Sequence, residues 1–166
     1  MEETAAALAI LKQAMRLEQE GRAFYLQAAE TTSDEEGKET FRALADDEQD
    51  HLRLIQRQHD ALSSENKWTS SPEIKPTQID MDKPLFPKGK EALGKVVKAK
   101  SRDTDAMLFG LEIENKSYDL YRTAALATTN PLGKAMFEFL AGEERGHFNI
   151  LMMRYESLAG PIAWSA

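Results

Sequence analysis

Two of the three histidines in this sequence stand three residues after a glutamate, as Glu48-x-x-His51 and Glu144-x-x-His147. On a helix that spacing puts both side chains on one face about one turn apart, so a carboxylate and an imidazole can close on one ion or on a pair of ions. With glutamate at about a tenth of positions, the double coincidence is roughly a one-in-a-hundred event. The third histidine, His59, has Gln56 at that spacing and reads as an ordinary histidine.

Sliding the chain by 96 positions lays Glu48 on Glu144 and His51 on His147, and the same shift lays Glu18 on Glu114. Tyr25 falls on Tyr121, Ala28 on Ala124, Phe41 on Phe137 and Leu44 on Leu140, so the halves are diverged copies of one unit. His59 falls on Tyr155 and has no counterpart.

Heptad spacing says which way these side chains point. Glu18 lies seven residues after Leu11 and seven before Tyr25, and Glu114 lies likewise between Met107 and Tyr121, which puts both carboxylates on an apolar stripe. The same test places Glu48 and His51 between Leu44 and Ile55, and Glu144 and His147 between Leu140 and Leu151. Four inward carboxylates without partners would each cost several kcal/mol and repel one another. Two divalent ions cancel their charge. Carboxylate and imidazole donors without thiolate suit iron or manganese, and zinc also binds such a set. Tyr25 and Tyr121 are either plain core or donors that orient the carboxylates.

The elements that must present these residues are long helices. Leu8, Leu11, Met15 and Tyr25 mark one from about 2 to 30; Phe41, Leu44, Leu52, Ile55 and Leu62 mark a second from about 34 to 62, after the turn and N-cap material Thr31 to Asp34. Between 63 and 103 the helical period is lost amid serines and prolines, except for a short helix expected around Glu91 to Lys98. Further helices are expected over about 104–126 and, after Asn130-Pro131, over about 131–158, ending before Gly160-Pro161. Two helical hairpins joined by one long crossover describe an all-α, ferritin-like four-helix bundle, expected as a single domain over 1–166.

Composition narrows the function. The net charge of -7 comes with no basic stripe, which argues against nucleic-acid and anionic-membrane partners. Cysteine is absent, which excludes thiolate catalysis, disulfides and iron–sulfur clusters held by this chain. No apolar run approaches the roughly 20 residues of a membrane span, and the opening Met1-Glu2-Glu3 is unlike a signal peptide, so a cytoplasmic location is expected.

The strings QAMRLEQEGRAFYLQAAE, FRALADDEQDHLRLI, GLEIENKSYDLYRTAA and FEFLAGEERGHFNIL resemble the four metal-binding helices of the rubrerythrin-like branch of the ferritin-like superfamily. The resemblance implies Glu18 and Glu114 as terminal ligands, Glu48 and Glu144 as bridges, and His51 and His147 as caps of one metal each. It also implies two iron ions that reduce hydrogen peroxide or react with dioxygen, often in a homodimer. Two departures bear on activity: no cysteine is available for the rubredoxin domain that supplies electrons in typical members, so a separate donor protein is expected, and Ser117 stands where they carry an additional glutamate. Alternatives are an iron-handling protein that oxidises ferrous ions, and an interaction protein whose site is vestigial.

Overall fold

The computed structural model describes residues 1–85 and 102–160. Four helices account for most of them: α1 (Glu2–Thr31), α2 (Glu35–Glu65), α3 (Arg102–Ala127) and α4 (Pro131–Ala159). No strand occurs among the described residues, and the architecture is the expected all-α four-helix bundle. The short helix expected around Glu91 to Lys98 lies outside the described residues.

Helix ends follow local chemistry. The Asp34 carboxylate accepts from the Gly37 amide at 2.8 Å and caps α2; the Asn130 side chain accepts from the Leu132 and Gly133 amides, with Pro131 as the first residue of α4. The largest departure from the expected bounds is at the end of α2, which continues to Glu65 instead of stopping near 62. Ser64 stays helical by donating its hydroxyl to the Asp60 carbonyl at 2.7 Å, and the helix ends where Asn66 turns left-handed at φ 53°.

Within each hairpin the helices pack along their length, α1 on α2 and α3 on α4; between hairpins α1 lies against α3, while α2 and α4 barely touch. Two apolar cores result. One gathers Leu11, Leu54, Ile55, Tyr121, Phe137 and Leu140; the other gathers Tyr25, Phe41, Leu44, Met107, Leu111 and Leu151. The 96-residue shift exchanges them, carrying Leu11 to Met107, Ile55 to Leu151, Phe41 to Phe137 and Tyr25 to Tyr121. Each fully buried large side chain contributes about 1.5–3 kcal/mol, which offsets the cost of the polar layer between the cores.

The described part of the crossover runs over the first core. Gln58 anchors its start, donating to the Thr69 carbonyl at 2.6 Å and accepting from the Thr69 amide at 3.1 Å. Farther on, the Tyr118 hydroxyl donates to the Lys83 carbonyl and Arg122 to the Met81 carbonyl, fixing the strap to α3. Its approach to α4 requires glycine: a Cβ on Gly133 would stand 2.6 Å from the Trp68 ring.

Candidate metal centre

Between the cores all four helices contribute to one buried layer. Glu18 comes from α1, Glu48 and His51 from α2, Glu114 from α3, and Glu144 and His147 from α4; none of the six is more than 4% exposed. The structure thus brings together all six residues singled out by spacing. His59 is in none of the groupings of His and acidic residues that can hold an ion among the described residues, and its nearest charged partner is Asp60 at 3.6 Å.

The six side chains divide into two overlapping sets, and the atoms show how. His51 Nδ1 lies 3.5 Å from Glu18 Oε2, 3.5 Å from Glu48 Oε2 and 3.3 Å from Glu144 Oε1. His147 Nδ1 lies 3.6 Å from Glu114 Oε1, 3.5 Å from Glu48 Oε1 and 3.2 Å from Glu144 Oε2. Glu48 and Glu144 each turn one oxygen to His51 and the other to His147. Glu18 belongs to the first set alone and Glu114 to the second.

These distances are those expected of donors sharing an ion. Atoms bound at about 2.0–2.2 Å to a common centre stand about 3.0–3.5 Å apart. Hydrogen bonding leaves six atoms of the layer unused: Glu18 Oε2, Glu114 Oε2, both oxygens of Glu144, and Nδ1 of His51 and of His147 are buried without a hydrogen-bond partner, while the Glu114 oxygen nearer His147, Oε1, accepts from the Tyr25 hydroxyl. Such orphaned groups are costly in a protein interior, and cations at these positions would satisfy them together. The donor set therefore fits two divalent metal ions, four carboxylates balancing four positive charges.

Protons take the place of that charge when metal is absent. Burial, reinforced by the neighbouring Glu48, pushes Glu18 up to about 8; burial, reinforced by Glu144, pushes Glu114 up to about 8. Burial alone would lower the histidines, but the surrounding carboxylates outweigh it and hold His51 and His147 well above the ordinary imidazole value.

The two tyrosines reach across the bundle. The Tyr25 hydroxyl on α1 donates to Glu114 Oε1 on α3, and the Tyr121 hydroxyl on α3 donates to Glu18 Oε1 on α1. Each ring is fully buried, and each hydroxyl donates to a carboxylate of the layer. The crossed pairing follows from antiparallel α1 and α3, in which 18 meets 121 and 25 meets 114.

A model of the rubrerythrin family matches residues 9–155, a span that contains all six clustered residues and both tyrosines. The chain belongs to the rubrerythrin family. Among solved structures it is similar to a hypothetical protein from Pyrococcus furiosus, with a TM-score of 0.66 and 22% identity over 92% of this chain and 89% of that one, which shows a shared fold. No curated protein matches the sequence.

In this rubrerythrin-family chain two further residues touch the cluster that spacing did not single out. His147 Nε2 is 3.1 Å from Asp47 Oδ2, and His51 Nε2 is 3.7 Å from Glu143 Oε2. The His147 ring holds Asp47 below the usual carboxylate range, and the His51 ring does the same to Glu143. A signal for them exists in the sequence: the shift that equates the other pairs also lays Asp47 on Glu143. Both acids line a cavity of about 390 Å³ on the seam between α2 and α4, together with Asp50, His51, Arg57 and Glu73.

Among the described residues, no helix is long and apolar enough to cross a membrane.

Proposed function

We propose that this protein is a non-haem di-iron oxidoreductase, with Glu18, Glu48, His51, Glu114, Glu144 and His147 as ligands, that reduces hydrogen peroxide or reacts with dioxygen. The observation that carries the reading is the division of the Glu48 and Glu144 oxygens between His51 and His147. Glu48 and Glu144 would each offer one oxygen to an ion beside His51 and the other to an ion beside His147, and a pair of ions held there would supply redox chemistry to both oxygen atoms of the oxidant. When bound, two ferrous ions supply the two electrons that convert one peroxide and two protons into two waters.

The chain's own residues do the rest. Glu18 and Glu114, held by Tyr121 and Tyr25, close the α1–α3 side of the layer. The apolar cores on either side keep bulk water from the carboxylates. With no cysteine for a rubredoxin-type centre in this chain, electrons return from a separate donor protein. The family resemblance implies a homodimer, and this reading takes the protein to be cytoplasmic.

The test is anaerobic loading with ferrous iron followed by stoichiometric peroxide or dioxygen, monitored by ferric absorption. Oxidation of two irons per peroxide, repeated on adding a reductant, supports the reading. A fully loaded protein that stays ferrous under both oxidants overturns it.

A second reading is iron handling, in which the centre oxidises ferrous ions and passes them on. The α2–α4 cavity favours it, because Asp47 and Glu143 stand in it beside the histidines, while its other two acids, Asp50 and Glu73, pair with Arg53 and Arg57. Gel filtration separates the readings, because storage in the ferritin manner needs a closed shell, whereas the oxidoreductase reading expects a dimer.

A further inference from the structure

We propose that Tyr121, Phe137 and Trp68 form a one-electron relay between the buried carboxylate layer and the end of the bundle where α2 gives way to the crossover. The relay rests on the oxidoreductase reading for its use and goes beyond it in naming a route.

The rings beside the layer form two series that the 96-residue shift exchanges. Tyr121 stacks on Phe137 with centroids 6.4 Å apart, and Tyr25 stacks on Phe41 at 6.0 Å, spacings of direct ring contact. At the inner end each tyrosine donates to a glutamate of the layer. The outer ends differ. Phe137 meets the Trp68 indole edge-on at 5.8 Å, whereas Phe41 meets Phe24, which leads to the exposed ring of Phe109. Indole and phenol give up one electron far more readily than phenyl does. Only the first series therefore has an oxidisable group at both ends, with the Phe137 ring filling the gap between them.

The crossover sets Trp68 in this place. Its half-buried ring occupies the space that a side chain at 133 would fill, and Gly133 admits it. The ring is also reached from outside, since with Leu62, Asn66, Thr128 and Asn130 it lines a cavity of about 440 Å³ at the end of the bundle.

At the inner end Glu18 turns Oε2 to His51 and Oε1 to the Tyr121 hydroxyl, so its outer oxygen is in place for a proton. An oxidising equivalent left at the layer by peroxide takes one electron from Tyr121, whose hydroxyl proton passes to Glu18 Oε1. One electron from Trp68 and the return of that proton restore the phenol. The indole, now one electron short, is restored by a one-electron reductant of the ascorbate or thiol class at the cavity. Two such passages deliver the two electrons that, with two protons, convert one peroxide into two waters.

Pulse radiolysis of the full-length Trp164→Phe protein, in which Trp68 is the one tryptophan, tests the relay. Azide radicals oxidise tryptophan at the surface, and all four tyrosines are buried, so the indolyl radical forms first. The exchange then runs from Tyr121 to the Trp68 radical, the reverse of its working direction along the same contacts. The protein is used both metal-free and loaded with zinc, which has no redox chemistry of its own. Indolyl absorption should decay as phenoxyl absorption grows, at a rate independent of protein concentration. Tyr121→Phe should lose the growth and Phe137→Leu should slow it several-fold, while Tyr25→Phe and Tyr118→Phe leave it unchanged, with helical content retained in each. Indolyl decay without phenoxyl growth in both forms, growth that survives Tyr121→Phe or is lost instead in Tyr118→Phe, or a rate unchanged in Phe137→Leu overturns the relay and leaves the di-iron reading in place. A protein that takes up no zinc yet shows the exchange keeps the relay and overturns the di-metal reading.

Discussion

The imidazoles of His51 and His147 lie nearly parallel, with ring centroids 5.4 Å apart and planes inclined by 18°, although 96 residues separate them in the chain. That spacing equals the repeat, so the stacked pair marks where the symmetry of the two hairpins passes through the bundle. Around it the neighbours come in pairs, one from each half: Glu48 and Glu144, Glu18 and Glu114, the hydroxyls of Tyr121 and Tyr25, and Asp47 and Glu143.

Without metal the buried layer relies on protons, which predicts an unusual pH dependence of stability. Glu18 and Glu114 titrate near 8 in the fold against 4.5 for free glutamate, and the two histidines lie well above 6.5. Folded values above unfolded ones mean that the stabilisation is fully present below the unfolded pKa and is lost as pH rises towards the folded one. The metal-free protein should therefore lose melting temperature steadily from about pH 5 to pH 8, while the metal-loaded protein should not. Scanning calorimetry of both forms checks this; a metal-free Tm that rises across this range would contradict it.

The same protons must leave when ions enter. Loading at pH 7 should release protons from Glu18, Glu114 and the two histidines, and calorimetric titrations in buffers of different ionisation heat give the number. An observed heat independent of buffer would rule out the protonated resting layer.

The tyrosine hydroxyls should matter more than their rings. Tyr121→Phe keeps the packing but leaves Glu18 Oε1 buried without its donor, at a cost of about 1–3 kcal/mol in urea unfolding of the metal-free protein. It should weaken the ion beside His51 more than the one beside His147, and Tyr25→Phe should do the reverse through Glu114. If both substitutions affect both ions alike, the hydroxyls do not orient individual carboxylates.

How much of this was legible beforehand depends on whether the information is local. Helical period and the 96-residue shift identify the helices and the six inward residues because burial on a stripe leaves a trace at every turn: Glu18 is conspicuous among Leu11, Ala14 and Tyr25. Asp47 and Glu143 carry no such trace. Their side chains stand on half-exposed positions, where an acid is unremarkable, and their approach to His147 and His51 exists only once α2 and α4 are packed antiparallel. The end of α2 is hidden in the sequence for a similar reason: Ser63 and Ser64 suggest a loop by composition, whereas Ser64 satisfies its hydroxyl within the helix.

The crossover should be sensitive where it is tightest. Gly133→Ala would put a methyl group 2.6 Å from the Trp68 ring and force it to move, destabilising the protein by about 1–3 kcal/mol. In a Trp164→Phe background, Trp68 fluorescence should shift to the red, while metal content is retained because the cluster lies elsewhere on α4. An unchanged spectrum would place Trp68 away from Gly133.

The central claim is that two ions sit between His51 and His147, bridged by Glu48 and Glu144. It is tested most directly by elemental analysis of protein from iron-sufficient cells beside the Glu48→Ala, Glu144→Ala double variant. The account predicts about two metal ions per chain in the wild type, the majority iron, and neither in the variant with its helical content intact. A wild type that holds no metal and resists anaerobic reconstitution, or a double variant that keeps both ions, would contradict it.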